Sequence, residues 1–147
     1  MIYLGADHRG FELKENLKTY LTERGYQITD LGTNTEEAVD YPLIAKKVAE
    51  AVKADLNNRG ILLCGTGVGV CIVANKFKGI RAGEAWNTEV ATKARTDDNI
   101  NVLCISADTI SLPDAKKTAQ AFLDTSFAGE ERYKRRLKQI EEIEKEN

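Results

Sequence analysis

Short apolar runs alternate along this chain with longer segments in which apolar residues return every three or four positions. The first run, IYLGA at 2–6, is followed by Leu13, Leu17, Tyr20 and Leu21 at helical spacing. Gly25 after Arg24 stops that helix, because a glycine adopts the left-handed terminus without a Cβ penalty. YQITDLG, 26–32, reads as a second strand. Ile44, Val48 and Val52 mark a second helix, with Pro42 near its start, where a missing amide proton costs little. GILLC, 60–64, is a third strand, and a helix is predicted from about Val68 to Lys76. GIRAG, 79–83, reads as a short fourth strand, with a polar helix from about Thr88 to Arg95. NVLCIS, 101–106, is the fifth strand. Ser111 with Asp114 three positions on approximates a capping box for a helix through Phe122 and Leu123. The charged segment from Gly129 reads as a last helix with a narrow apolar stripe of Leu137, Ile140 and Ile143.

Strands separated by helices require crossover connections, and right-handed crossovers build a parallel sheet covered on both faces. The expected fold is therefore α/β, a three-layer Rossmann-like arrangement around a five-stranded parallel sheet, with the C-terminal helix available for dimerisation. At 147 residues the chain makes one domain spanning 1–147. In such sheets ligands bind at the carboxyl ends of the strands. Those positions hold Asp7 and His8, residues 32–41, Cys64 to Gly69, Trp86 with Asn87, and Ser106 to Asp108.

Charge narrows the partners. Lys and Arg total 21 against 23 Asp and Glu, for a net charge of −2, so there is no basic field to draw in nucleic acid or an anionic membrane. The three cysteines are odd in number and match neither a zinc ribbon nor a CxxC pair, which points to a reducing compartment and to no metal site. No run of 18 apolar residues occurs and the first residues lack a leader pattern, so a cytoplasmic location is expected.

The segment GILLCGTGVGVCIVANK, 60–76, concentrates the chemistry. Glycines between a strand and a helix let backbone amides converge, which suits an anion. A Walker loop would need Gly-Lys-Ser/Thr, the dinucleotide fingerprint would need glycine where Val70 stands, and a cysteine phosphatase would need an arginine in the loop. An oxyanion is the remaining guest. Those amides would also favour the thiolate of Cys64, making it a base or nucleophile. The plainer alternative makes Cys64 a small buried residue ending a strand; for Cys71 and Cys104, inside apolar elements, packing is the expected role.

GADHRGFELK at 5–14, Gly-Thr at 32–33, VDYP at 39–42, GILLCGTGVG at 60–69, ANKFKGIRA at 74–82, NVL at 101–103 in NVLCIS, and GEERYKRR at 129–136 together resemble the type B ribose-5-phosphate isomerases and the galactose-6-phosphate isomerase subunits, over nearly the whole chain. The resemblance implies an aldose–ketose isomerase that works without metal or organic cofactor. It implies that Cys64 moves the C2 proton through an enediolate, that Thr66 and the amides around Gly65, Gly67, Val68 and Gly69 hold the developing oxyanion, and that Asp7, Tyr41 and Asn99 contact the sugar. His8, Arg132 and Arg136 would bind its phosphate; the two arginines lie one helical turn apart. The family builds its site at a dimer interface, so a homodimer or higher homo-oligomer is expected, and a paralogous subunit is a possible partner.

The chain departs from that pattern in RTDDNINVL, 95–103, where Asp97 stands in place of a ring-opening histidine and Asp98 in place of an asparagine. An aspartate, with an ordinary pKa of about 3.9, is a poorer acid at neutral pH than a histidine at about 6.5. Asp108 stands where a phosphate-binding arginine is usual, which by itself would repel the ligand, and Tyr133 replaces a common histidine. Three readings follow: an isomerase of ribose 5-phosphate, an isomerase of a related sugar phosphate that opens readily, or a non-catalytic or half-catalytic subunit of a mixed oligomer.

Overall fold

A computed structural model describes residues 1–147. Five strands, β1 (Ile2–Ala6), β2 (Ile28–Asp30), β3 (Arg59–Cys64), β4 (Ala82–Glu84) and β5 (Val102–Ser106), form one parallel sheet in the order β2-β1-β3-β5-β4. Six helices join and flank them: α1 (Phe11–Glu23), α2 (Tyr41–Lys53), α3 (Val68–Ala74), α4 (Thr88–Asp98), α5 (Leu112–Asp124) and α6 (Glu131–Glu146). The three-layer α/β architecture expected from the apolar pattern is present.

The central strands are apolar throughout because both their faces are covered. In β3, Ile61 and Leu63 face a core shared with Leu17, Leu21, Ala119 and Phe122, so α1, α4 and α5 cover that side. Leu62 and Cys64 alternate onto the other face, with Val48, Val52, Val70 and Ala74 of α2 and α3. Burial of this kind contributes about 25 cal/mol per Å² of apolar surface, which is what holds the layers together. Cys104 is fully buried in the second core, as its packing role requires, whereas Cys71 is half-buried with its thiol 3.5 Å from the Ala82 carbonyl.

Several boundaries differ from the apolar pattern; the second strand, for one, is confined to Ile28–Asp30 rather than 26–32. The fourth strand forms at Ala82–Glu84 rather than 79–83, because side chains capture the earlier amides: Arg81 N donates to Asn101 Oδ1 at 2.8 Å and Ala82 N to Asn75 Oδ1 at 2.8 Å. Helix α4 continues past Arg95 to Asp98 and closes on Asn99, which takes the left-handed conformation. Helix α3 stops at Ala74, short of Lys76. Ser111 caps α5 as the sequence suggests, its hydroxyl accepting from the Asp114 amide.

One charged group is fully buried. Lys14 is 0% exposed, and its ammonium is held by Glu15 and by Asp30 at the end of β2. Lys18 reaches the same Asp30 oxygen at 2.9 Å, and the Gly32 amide donates to the other oxygen. Burial pushes the Asp30 carboxyl up, but the hydrogen bonds from Lys14, Lys18 and Gly32 outweigh it and hold it below its ordinary range.

Candidate active site

Chain order reverses between β1 and β3: β2 lies to one side of β1, while the chain returns on the other side to lay down β3. Side chains that follow these two strands therefore meet in the crevice where a parallel sheet binds ligands. A cavity of about 330 Å³ opens there, lined by Asp7, Arg9, Tyr41, Cys64, Gly65, Thr66, Val68, Gly69 and Ile72. Cys64 is 4% exposed, yet it lines this cavity, and its sulfur turns toward the glycine loop, accepting the Gly67 amide at 3.2 Å.

Each loop glycine is required by a neighbour. Gly67 adopts φ +78°, and a Cβ on it would lie 3.0 Å from the backbone of Ile105 and Ser106. A Cβ on Gly69 would stand 2.7 Å from Cζ of Tyr41, whose ring lies against the loop. At Gly65 a Cβ would fall within 2.5 Å of Nε and Nη1 of Arg9 and closer still to Cζ, so the guanidinium rests directly on that residue. The loop is thus a floor on which a tyrosine and an arginine lie, as well as a source of amides. Helix α3 begins at Val68, so the amides of its first turn have no helical carbonyl to bond. Thr66 is exposed, and its hydroxyl accepts the Val68 amide at 3.3 Å.

Around this floor, Asp7 is buried and its Oδ1 accepts the amides of Arg9 and Gly10, at 3.0 and 3.1 Å. That fixes the carboxylate and leaves Oδ2 for a hydroxyl. His8 Nδ1 accepts the Val39 amide at 3.3 Å, so in the neutral ring Nε2 bears the proton and can donate to an anion. Glu84 stands behind the loop, Oε1 3.1 Å from where a Gly67 Cβ would be, and burial raises its carboxyl above the ordinary range.

The other candidate residues lie elsewhere. Val102 pairs with Gly60 and Ser106 with Cys64, so four residues of strand, about 13 Å at 3.3 Å each, separate the two ends of the sheet. Asn99 precedes β5 at the amino end, and the last turn of α4 carries Asp97 there as well. Asn99 is engaged by arginines: its Oδ1 accepts from Arg95 at 2.7 Å and its carbonyl from Arg81 at 3.0 Å. Asp97 accepts from the Thr96 hydroxyl at 2.7 Å. The Ala128 amide bonds the Thr96 carbonyl, tying the start of α6 to that same turn. Arg132 is exposed and pairs with Glu130 at 3.1 Å and the Tyr133 hydroxyl at 2.8 Å; Arg136 is exposed too. Within one chain, then, Asp97, Asn99, Arg132 and Arg136 do not meet Cys64.

The expectation that Asp108 simply repels a phosphate needs correction. Asp108 is ion-paired to Arg9, a residue that sequence reasoning passed over although it directly follows Asp7 and His8. No spacing rule connects positions 9, 65 and 108. Only the convergence of three loops shows that they touch.

Comparison with known proteins agrees with this fold. Residues 2–140 match the family model described as Ribose/Galactose Isomerase. The ribose-5-P isomerase B of Listeria innocua is 39% identical over 99% of this chain and 98% of its own length. The D-erythrulose-4-phosphate isomerase of Pectobacterium atrosepticum is 42% identical over 87% of this chain and 85% of its own. The crystal structure of ribose-5-phosphate isomerase B from Mycoplasma genitalium with bound ribulose-5-phosphate superposes with a TM-score of 0.95 at 40% identity, covering 99% of this chain and 97% of that one. With a matching sheet, a matching chain length and a cysteine over a glycine loop at the topological switch point, the chain belongs to the ribose/galactose isomerase family.

Proposed function

We propose that the protein interconverts an aldose phosphate and its ketose, ribose 5-phosphate and ribulose 5-phosphate or a close relative, by proton transfer at Cys64. The Cys64 thiolate removes the proton from C2, and the electron pair forms the C1–C2 double bond of an enediolate. Negative charge then develops on the former aldehyde oxygen, where Thr66 and the loop amides supply hydrogen bonds; losing one such donor typically costs about 100-fold in rate. The proton returns to C1, and the C2 hydroxyl proton passes to the O1 oxyanion, so that C2 becomes the ketone and C1 the alcohol. The step needs a base and oxyanion donors, and both are protein groups. The single observation that carries this reading is that Cys64 lines the cavity with its sulfur bonded to the Gly67 amide.

Because Asp97 and Asn99 lie about a strand's length from Cys64, and Arg132 and Arg136 are not among the residues lining its cavity, the proposed working unit is a homodimer in which one copy brings these residues to the other's cysteine. Exposed apolar side chains lining the cavity, Val68 at 48% and Ile72 at 56%, support a covered surface there. No helix is long and apolar enough to cross a membrane, and all three cysteines are unpaired, which supports a reducing, cytoplasmic setting.

A second reading is favoured by Asp97. A tetrose 4-phosphate carries its phosphate on the oxygen that would close a furanose ring, so it is always open and needs no ring-opening acid. The Pectobacterium relative bears the name of such an isomerase. Both readings are tested by incubating the protein with ribose 5-phosphate and erythrose 4-phosphate in deuterated water and following exchange at C1 and C2 by NMR. Exchange that is lost in Cys64→Ala supports the mechanism; full exchange in that variant removes Cys64 as the base.

A further inference from the structure

We infer that Arg9 is the cation that binds the substrate's phosphate in this chain's own half of the site, and that Asp108 positions it; the inference rests on the phosphorylated-sugar reading above. Arg9 is the only cationic side chain lining the Cys64 cavity. Its guanidinium lies flat on Gly65, the residue next to the proposed base, where any side chain would displace it. Nη2 meets Asp108 Oδ2, and this is one of the five N–H donors that a guanidinium presents. The remaining donors stay available to a dianion, which an arginine fork matches in geometry.

The carboxylate is as firmly placed as the arginine. The Asp108 amide donates to the Gly65 carbonyl at 3.0 Å, the Ala107 amide to the Cys64 carbonyl at 2.9 Å, and the Ser106 hydroxyl to the Gly65 carbonyl at 3.0 Å. The loop after β5 is therefore stitched to the loop after β3, and Asp108 reaches from it to hold Arg9 over the floor. A structural ion pair alone would not require a bare glycine beneath the guanidinium at the cavity edge. The pair is also half-exposed, 54% and 37%, so its contribution to folding is small. Its position at the edge of the Cys64 cavity is what a binding role explains. The charge that Asp108 would direct at a phosphate is neutralised, and the attraction comes from the loop after β1 instead.

The test measures inorganic phosphate binding by calorimetry and the KM and kcat of isomerisation, on the full chain. Arg9→Gln is expected to weaken phosphate binding and raise KM by about 10- to 100-fold, the range of a charge-assisted hydrogen-bond pair, while kcat falls far less. Asp108→Asn, which frees the arginine without removing it, is expected to show a smaller rise in KM, and Asp108→Glu to restore part of it. The combined variant Arg9→Gln with Asp108→Arg moves the cation to the facing loop and is expected to recover phosphate binding. A folded Arg9→Gln protein that binds phosphate as the parent does overturns the inference, and so does a parent that does not bind phosphate. If the parent isomerises sugar phosphates while Arg9→Gln leaves KM unchanged, this inference fails and the proposed function stands. If phosphate binding depends on Arg9 but no sugar phosphate is turned over, the reverse holds.

Discussion

Replacing Gly65 by alanine separates what the glycine loop does for binding from what it does for folding. The backbone at Gly65 lies outside the left-handed region, so alanine can adopt it without strain. The new methyl would occupy the place of the Arg9 guanidinium, the far end of a flexible and half-exposed side chain that can swing away. The stability lost is that of an exposed ion pair, about 0–1 kcal/mol, and the stiffer unfolded chain returns about 0.4–1 kcal/mol. The expected net change in unfolding free energy is within about 1 kcal/mol, with KM for the sugar phosphate raised about 10- to 100-fold. Gly67→Ala makes the control: at φ +78°, with the β5 backbone 3.0 Å away, alanine carries about 1–2 kcal/mol of conformational cost plus displacement of a strand end, so a loss above about 2 kcal/mol is expected. Urea unfolding followed by far-UV circular dichroism, alongside steady-state kinetics, measures both. A Gly65→Ala protein that is severely destabilised, or that is stable with an unaltered KM, refutes the reasoning.

Asp30→Asn leaves Lys14 fully buried with Glu15 as its remaining carboxylate, so a loss of about 3–5 kcal/mol is expected in the same unfolding assay. Since the Asp30 carboxyl is held below its ordinary 3.8 in the folded chain, its contribution is fully present above that value and disappears as the pH falls through the lower folded one. Unfolding titrations from pH 6 to pH 2 are accordingly expected to show an acid-side loss of stability that is diminished in Asp30→Asn. Asp97→His is expected to raise turnover of ribose 5-phosphate, which closes into a furanose, by about tenfold or more and to leave erythrose 4-phosphate unaffected; equal effects on both would detach residue 97 from ring opening.

The parts legible in the sequence were those that depend on near neighbours. Alternating apolar runs and helical stripes specify five strands and the helices between them, since a strand buried on both faces has to be apolar along its length. GILLCGTGVG announces a cysteine above an amide-rich turn because strand, base and donors are contiguous in the chain. The boundaries of β4 were not legible, because the amides of Arg81 and Ala82 go to the side chains of Asn101 and Asn75, two residues brought in by other elements. The strand order β2-β1-β3-β5-β4 was not legible either, and by setting β1 against β3 it places Asp7 and Arg9 beside the loop of Cys64, whereas Asp97 and Asn99 lie at the other end of the sheet because they precede β5. The meaning of Asp108 changed for the same reason. Taken by itself, an aspartate at that position repels a phosphate; packed against Arg9 above a residue with no side chain, it holds a cation in place. Local pattern determined which elements and which reactive groups exist, since hydrophobic period and turn chemistry act over a few residues. Only tertiary packing decided which charges meet, because Coulomb interactions depend on distance in space and loops separated by up to 99 positions end within bonding reach.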